Sequence, residues 1–102
     1  MTNPLVCGLV PMHPGELLRE DVLPALGRPK TEIARLLGIS RQTLYDILNE
    51  KQPITAQMAL RIGKMCGNGA DIWLNLQRTY DLRMAEAEIG DALDAIPMLR
   101  AA

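Results

Sequence analysis

From residue 14 onward, apolar residues recur three and four positions apart, and the clusters are separated by Gly, Pro, Ser and Thr. That rhythm belongs to amphipathic helices rather than strands. Leu17, Leu18 and Val22 follow Pro14 and Glu16, and a first-turn proline with an early acid favours a helix start. Pro24 and Gly27 are expected to end this helix or a short extension of it. Residues 31–37 place Ile33, Leu36 and Leu37 on one face and stop at Gly38, a natural residue for a left-handed helix end. Ser40 is a preferred N-cap for residues 41–49, where Leu44, Ile47 and Leu48 are spaced i, i+3, i+4. After Pro53, Thr55 can cap a fourth helix over 56–66, whose apolar members are Met58, Leu60, Ile62 and Met65. Gly67-Asn68-Gly69 is a strong turn signal. A long fifth helix follows from about Asp71 toward Ile89, carrying Ile72, Leu74, Leu76 and Leu82. Residues 91–96 offer a continuation past Gly90, and Pro97 forbids much more. The pattern predicts an all-α fold of five helices.

Residues 30–49 form the unit with most functional content. Two short helices joined by Leu37-Gly38-Ile39-Ser40 have the Gly-containing turn that lets helices cross steeply, as in a helix-turn-helix. Ala34 suits a close helix approach, and Gly38 can adopt the left-handed turn conformation. Ile39 is expected to plug the turn from beneath. On a wheel at about 100° per residue with Leu44 at zero, Ile47 lies near −60° and Leu48 near +40°. Tyr45, Asn49, Gln42 and Asp46 fall at roughly 100°, 140°, 160° and 200°. The face opposite the core is therefore built of hydrogen-bonding groups. Arg41 and Gln42 lie in the first turn, where recognition helices touch base edges; Arg can grip guanine bidentately and Gln adenine. Ser40, Thr43 and the backbone N–H groups of the helix start suit phosphate. The same hairpin also occurs in bundles that never touch DNA, so the pattern alone leaves both readings open.

The chain has 102 residues, of which 48% are hydrophobic and 23% charged, so it has room for one domain with a genuine core and is not a disordered chain. Aromatics are only 3%, so the core is expected to be aliphatic. The net charge of −1 hides an asymmetry. Residues 28–51 carry Arg28, Lys30, Arg35, Arg41 and Lys51 against Glu32, Asp46 and Glu50. Residues 71–95 carry Arg78 and Arg83 against Asp71, Asp81, Glu86, Glu88, Asp91 and Asp94. A basic middle and an acidic end suit one anionic and one basic partner.

Cys7 and Cys66 form no CxxC motif, and there is one histidine, His13, without a nucleophile or metal-ligand set; no disulfide framework, metal, cofactor or catalytic role is expected. His13 precedes a helix start, where capping or packing is the expected role. Trp73 and Tyr80 lie two helical turns apart, as core or dimer-packing residues do. The apolar stretch 5–12 is broken by Gly8 and Pro11, too short for a membrane span, and no basic segment precedes it. A cytoplasmic protein without membrane contact is expected.

Three stretches together resemble the HigA/VapI group of antitoxins within the Xre-like helix-turn-helix family. They are His13-Pro14-Gly15-Glu16 with Leu17-Leu18-Arg19-Glu20, residues 33–49, and Trp73-Leu74-Asn75-Leu76-Gln77 through Tyr80-Asp81-Leu82. The resemblance covers about residues 12–83. The middle stretch is shared by many phage-repressor-like domains, and the first and last are more specific to the antitoxin group.

The resemblance implies a five-helix, lambda-repressor-like DNA-binding domain that dimerises on operator DNA and represses its own operon. It also implies a cognate HigB/RelE-like mRNA-cleaving toxin, neutralised by direct binding. On this basis Arg41, Gln42 and Tyr45 are expected to contact bases. Lys30, Asn49 and Lys51 join Ser40 and Thr43 as expected phosphate contacts. The implied organisation is an arm at 1–12, the helix-turn-helix domain at 13–83 and an acidic helical extension at 84–102. Two positions depart from the family pattern. Pro29 replaces the usual Ser or Thr ahead of the first motif helix. Glu50 stands where Gly is common, an acid that either lowers affinity for any DNA or, with Asp46, reads a cytosine amino group. A solitary regulator without a toxin is the alternative, and a neutraliser with a vestigial helix-turn-helix is a third reading.

Overall fold

The structure is a computed structural model that describes residues 12–100. The arm at 1–12, except Met12, and Cys7 lie outside the described residues. The first helix, α1, is continuous but built of three pieces: an α-helical turn Pro14–Leu17, a π-helical segment Leu18–Val22 and a second α-helical turn Leu23–Leu26. After it come α2 (Lys30–Leu37), α3 (Arg41–Leu48), α4 (Ala56–Cys66) and α5 (Asp71–Asp94). Among the described residues there is no strand.

Pro24 does not end α1. A proline inside a helix lacks its N–H and crowds the carbonyl four residues back. Here the helix widens, and the Leu23 N–H bonds the Leu18 carbonyl five residues back. Gly27, at φ 66°, makes the actual stop. The α2 helix ends as its sequence requires: Gly38 sits at φ 74°, and the Ile39 N–H bonds the Ala34 carbonyl at 3.0 Å. The Arg61 guanidinium of α4 closes the same end, donating to the Leu37 carbonyl at 2.8 Å. The N-caps of α3 and α4 are Ser40 and Thr55, whose hydroxyls accept the N–H groups of Thr43 and Met58. Pro29 gives α2 no side-chain cap.

The core is aliphatic around one indole. Leu18 and Leu23 of α1, Ile33, Ala34 and Leu37 of α2, and Leu44, Ile47 and Leu48 of α3 meet Met58, Ala59 and Ile62 of α4 over the fully buried Trp73 of α5. Some expected core members lie outside it. Leu36 is 52% and Leu60 63% exposed, and Ile72 and Leu82 are also exposed. In α2 the buried set is Ile33, Ala34 and Leu37, and Leu36 lies outside that stripe. Ile39 packs half-buried under the turn.

The α5 helix passes residues 83–84 without interruption and bends at Ile89 (φ −115°, ψ 20°), beside Gly90. Beyond Tyr80 its side chains are exposed almost throughout, Leu82, Met84, Ile89 and Leu93 among them. Among the described residues no helix is long and apolar enough to cross a membrane.

Candidate nucleic-acid interface

The helix carrying the expected base contacts is anchored on one side and free on the other. Leu44, Ile47 and Leu48 are buried, whereas Arg41, Gln42 and Tyr45 are all exposed, Tyr45 by 41%. The structure thus brings these three onto one uncovered surface of α3. Ser40 and Thr43 stand at its start, their hydroxyls 2.8 Å apart, and the Ser40 Oγ also accepts the Thr43 N–H at 3.0 Å. Ser40, Arg41 and Gln42 at this helix start are exposed.

The Gln42 amide has a partner on its own helix. Its Nε2 donates to the Asp46 carboxylate one turn later, at 2.8 Å. An amide nitrogen has two N–H groups, so one donor and the carbonyl oxygen stay available.

The other residues expected to contact phosphate occupy the flanks. Lys30 is the exposed first residue of α2, Asn49 is the exposed C-cap of α3, and Lys51 is exposed two residues later. Among the described residues, Lys30, Arg41 and Lys51 form no ion pair. By contrast, Arg28 and Arg35 share Glu32, at 2.7 and 4.0 Å.

Several residues that hold this surface in place escaped the sequence reading. Gly15 lies so close to α3 that a Cβ there would sit 1.9 Å from the Ile47 carbonyl oxygen. Arg19 of α1 donates to the Leu48 carbonyl at 2.6 Å, and its Nη1 lies 3.4 Å from Glu50. Glu50 itself is at φ 62°, a conformation that costs a non-glycine residue roughly 1–2 kcal/mol. The buried Gln77 amide ties the loop before α4 to α5: it accepts the Ile54 N–H at 2.7 Å and donates to Asp81 at 2.9 Å. The Trp73 indole donates to Asn68 at 3.1 Å. Gly15, Arg19, Trp73, Gln77 and Asp81 gave a hint in the sequence, since all five lie inside the motifs that carry the resemblance, and Glu50 stood out as a departure from the family pattern.

His13 caps and packs. Its Nδ1 accepts the Gly15 N–H at 2.9 Å, and its ring meets Tyr80 edge-on with centroids 4.9 Å apart. Burial lowers its pKa below the ordinary 6.5, against a smaller upward pull from Glu50 and then Asp81. The folded state therefore favours the neutral ring, and the unfolded chain binds the extra proton first. The resulting stability is complete above pH 6.5 and is lost as pH falls from there through the lowered folded-state value. Thermal melts between pH 7 and 5 are expected to show this loss. In His13→Asn, which keeps a cap acceptor and cannot titrate, the slope over that window should be shallower than in the parent.

Among the described residues no three His, Cys, Asp or Glu side chains gather into a metal site. A surface hollow of about 470 Å³ at the α4–α5 turn is lined by Leu60, Gly63, Lys64, Gly67, Gly69 and Ala70, with Lys64 its one ionisable side chain. Burial pushes the Cys66 thiol up, which disfavours the reactive thiolate.

Comparison with known proteins places the fold in a family. The helix-turn-helix family profile matches residues 18–73. Virulence-associated protein I of Dichelobacter nodosus is 42% identical over 77 residues, which span 76% of this chain and 71% of that protein. The solved structure of the Pseudomonas aeruginosa antitoxin HigA with the higBA promoter superimposes with a TM-score of 0.81 at 37% identity, covering 87% of this chain and 99% of that one. The antitoxin GraA in complex with its operator gives 0.83 at 36% identity, covering 100% and 99%. Other relatives are described only as HTH-type transcriptional regulators. By motif, by helix order and by these likenesses, the chain belongs to the Xre-like helix-turn-helix family, in the group whose members include HigA antitoxins and virulence-associated protein I.

Proposed function

We propose that this protein is the antitoxin of a type II toxin–antitoxin pair: it binds operator DNA as a homodimer, represses its own operon and neutralises a HigB/RelE-like mRNA-cleaving toxin by direct contact. One observation supports the DNA half above all. A helix rooted by Leu44, Ile47 and Leu48 presents Arg41, Gln42 and Tyr45, and no described residue covers them. Each protomer would lay α3 in a major groove, with half-sites about one helical turn apart. Arg41 would grip a guanine edge. Gln42, oriented by Asp46, keeps the N–H and the oxygen that adenine N7 and N6 require. Tyr45 would pack against a neighbouring base. Lys30, Ser40, Thr43, Asn49 and Lys51 would hold phosphates and set register.

Residues 13–83 would carry these contacts, and the acidic extension at 84–102 is assigned to protein partners. Its exposed Glu86, Glu88, Asp91 and Asp94 suit a basic toxin, and the likeness to antitoxins supports that half. The relatives known only as transcriptional regulators favour a second reading, a solitary repressor.

Anisotropy titrations against the DNA upstream of the gene and against a scrambled duplex test the operator half. Preference for the upstream duplex, with affinity falling steeply as salt rises, is expected. Equal binding to both duplexes would remove the repressor role. In Lys51→Ala, affinity should drop alike for every sequence, and the log–log salt slope should shrink by about one. Co-purification of a small basic protein encoded beside this gene separates antitoxin from solitary regulator. Co-purification without an operator footprint would leave a pure neutraliser.

A further inference from the structure

We propose that Glu50 is an electrostatic brake on DNA-backbone affinity at the C-terminal end of α3; the inference rests on the operator-binding reading above. Glu50 is the one non-glycine residue with positive φ among the described residues. It stands between Asn49 and Lys51, both assigned to phosphate. The turn is fixed to the helix by three backbone bonds: Asn49 N–H to Tyr45 O at 2.9 Å, Glu50 N–H to Ile47 O at 3.0 Å, and Lys51 N–H to Asp46 O at 2.8 Å. The carboxylate is therefore held beside any phosphate seated on its two neighbours, well within a Debye length of about 10 Å at 0.1 M salt.

The carboxylate also engages the nearest other cation. Arg19 gives its Nη1 to the Leu48 carbonyl and, at 3.4 Å, to Glu50, while its Nε is bonded to Glu20 at 3.1 Å. The guanidinium of α1 that reaches the end of the recognition helix is thus shared between two acids. With Lys51 included, the corner carries two cations and two anions and presents no net positive charge to DNA. Both partners of the Arg19–Glu50 pair are about one-third exposed, at 35% and 31%, so their field is only partly screened.

Glycine would satisfy the backbone at this position without strain, so what the glutamate adds is its charge. Pairing with α1 also commits the carboxylate to Arg19, which favours the brake over the reading of a cytosine amino group. With the backbone contribution reduced, a larger share of operator affinity falls to base contacts.

Anisotropy titrations of the full chain, from 50 to 300 mM NaCl, use a labelled duplex of the upstream DNA and a scrambled duplex of the same composition. Glu50→Gln removes the charge, and Glu50→Gly removes the charge and the backbone strain together. Both variants are expected to bind both duplexes several-fold tighter at low salt, with the log–log salt slope steeper by about one. An unchanged slope overturns the brake. So does tightening confined to one base pair of the upstream duplex. A purely structural latch would instead lower the melting temperature and weaken binding to both duplexes, which also refutes the proposal. Failure of the parent protein to prefer the upstream duplex would refute operator recognition, yet the slope change on scrambled DNA still reports on Glu50.

Discussion

The Arg41→Ala, Gln42→Ala double variant is expected to bind the operator at least about thirtyfold more weakly than the parent, with its melting temperature unchanged. Each side chain is assigned roughly 1–3 kcal/mol of base recognition, and every 1.36 kcal/mol is tenfold. Stability is spared because both side chains are exposed and neither supports the core. The loss should fall on specific binding only: affinity for scrambled DNA keeps most of its value, since the phosphate contacts remain apart from the one charge of Arg41. The single variants would each relax preference at one base pair. Coupling between Gln42 and Asp46 predicts an asymmetry: Asp46→Ala should weaken readout at the Gln42 position by freeing the amide. Titration of a panel of single-base operator variants checks all of this. Parent-like binding by the double variant would end the case for α3 as the reading helix.

Gly15→Ala is expected to lower stability by about 3 kcal/mol, and the melting temperature by roughly 10–20 °C. The new methyl would meet the Ile47 carbonyl oxygen at 1.9 Å, and backbone cannot yield as the tip of a side chain can. That carbonyl also accepts the Glu50 N–H at 3.0 Å, so displacing it disturbs the end of α3 and the turn beyond. Operator affinity should therefore fall further than the unfolded fraction accounts for. Gly90→Ala is the matched comparison: its Cβ would meet nothing within 4 Å, and alanine is the better helix former. Thermal melts by far-UV circular dichroism distinguish the two, and a Gly15→Ala shift as small as that of Gly90→Ala would refute the close-packing argument.

The two cases mark the reach of local reasoning. The free face of α3 is legible because it lies within eight consecutive residues: three apolar side chains at helical spacing define which side is buried, and the opposite side follows. Ser40, Thr55, Gly38 and Gly67 are legible for the same reason, since caps act on N–H and C=O groups within a few residues. Leu36 and Leu60 were misplaced because spacing nominates every apolar residue near a stripe. How wide the stripe is depends on how many neighbours arrive to cover it. Pro24 is not the stop its sequence suggests because the cost of an internal proline can be absorbed by a local π turn, here closed by the Leu23 N–H on the Leu18 carbonyl.

The sequence by itself determined the number and order of the helices, the helix-turn-helix and the polar identity of its outward face, because hydrophobic periodicity and capping are short-range. Only the tertiary structure decided what holds that face in position. Gly15 against Ile47, Arg19 against Leu48 and Glu50, Arg61 against Leu37 and Gln77 against Ile54 each join residues more than twenty positions apart. A contact across that separation leaves no period in the chain. It is fixed when buried polar groups must find partners and close-packed backbones leave no room for a side chain.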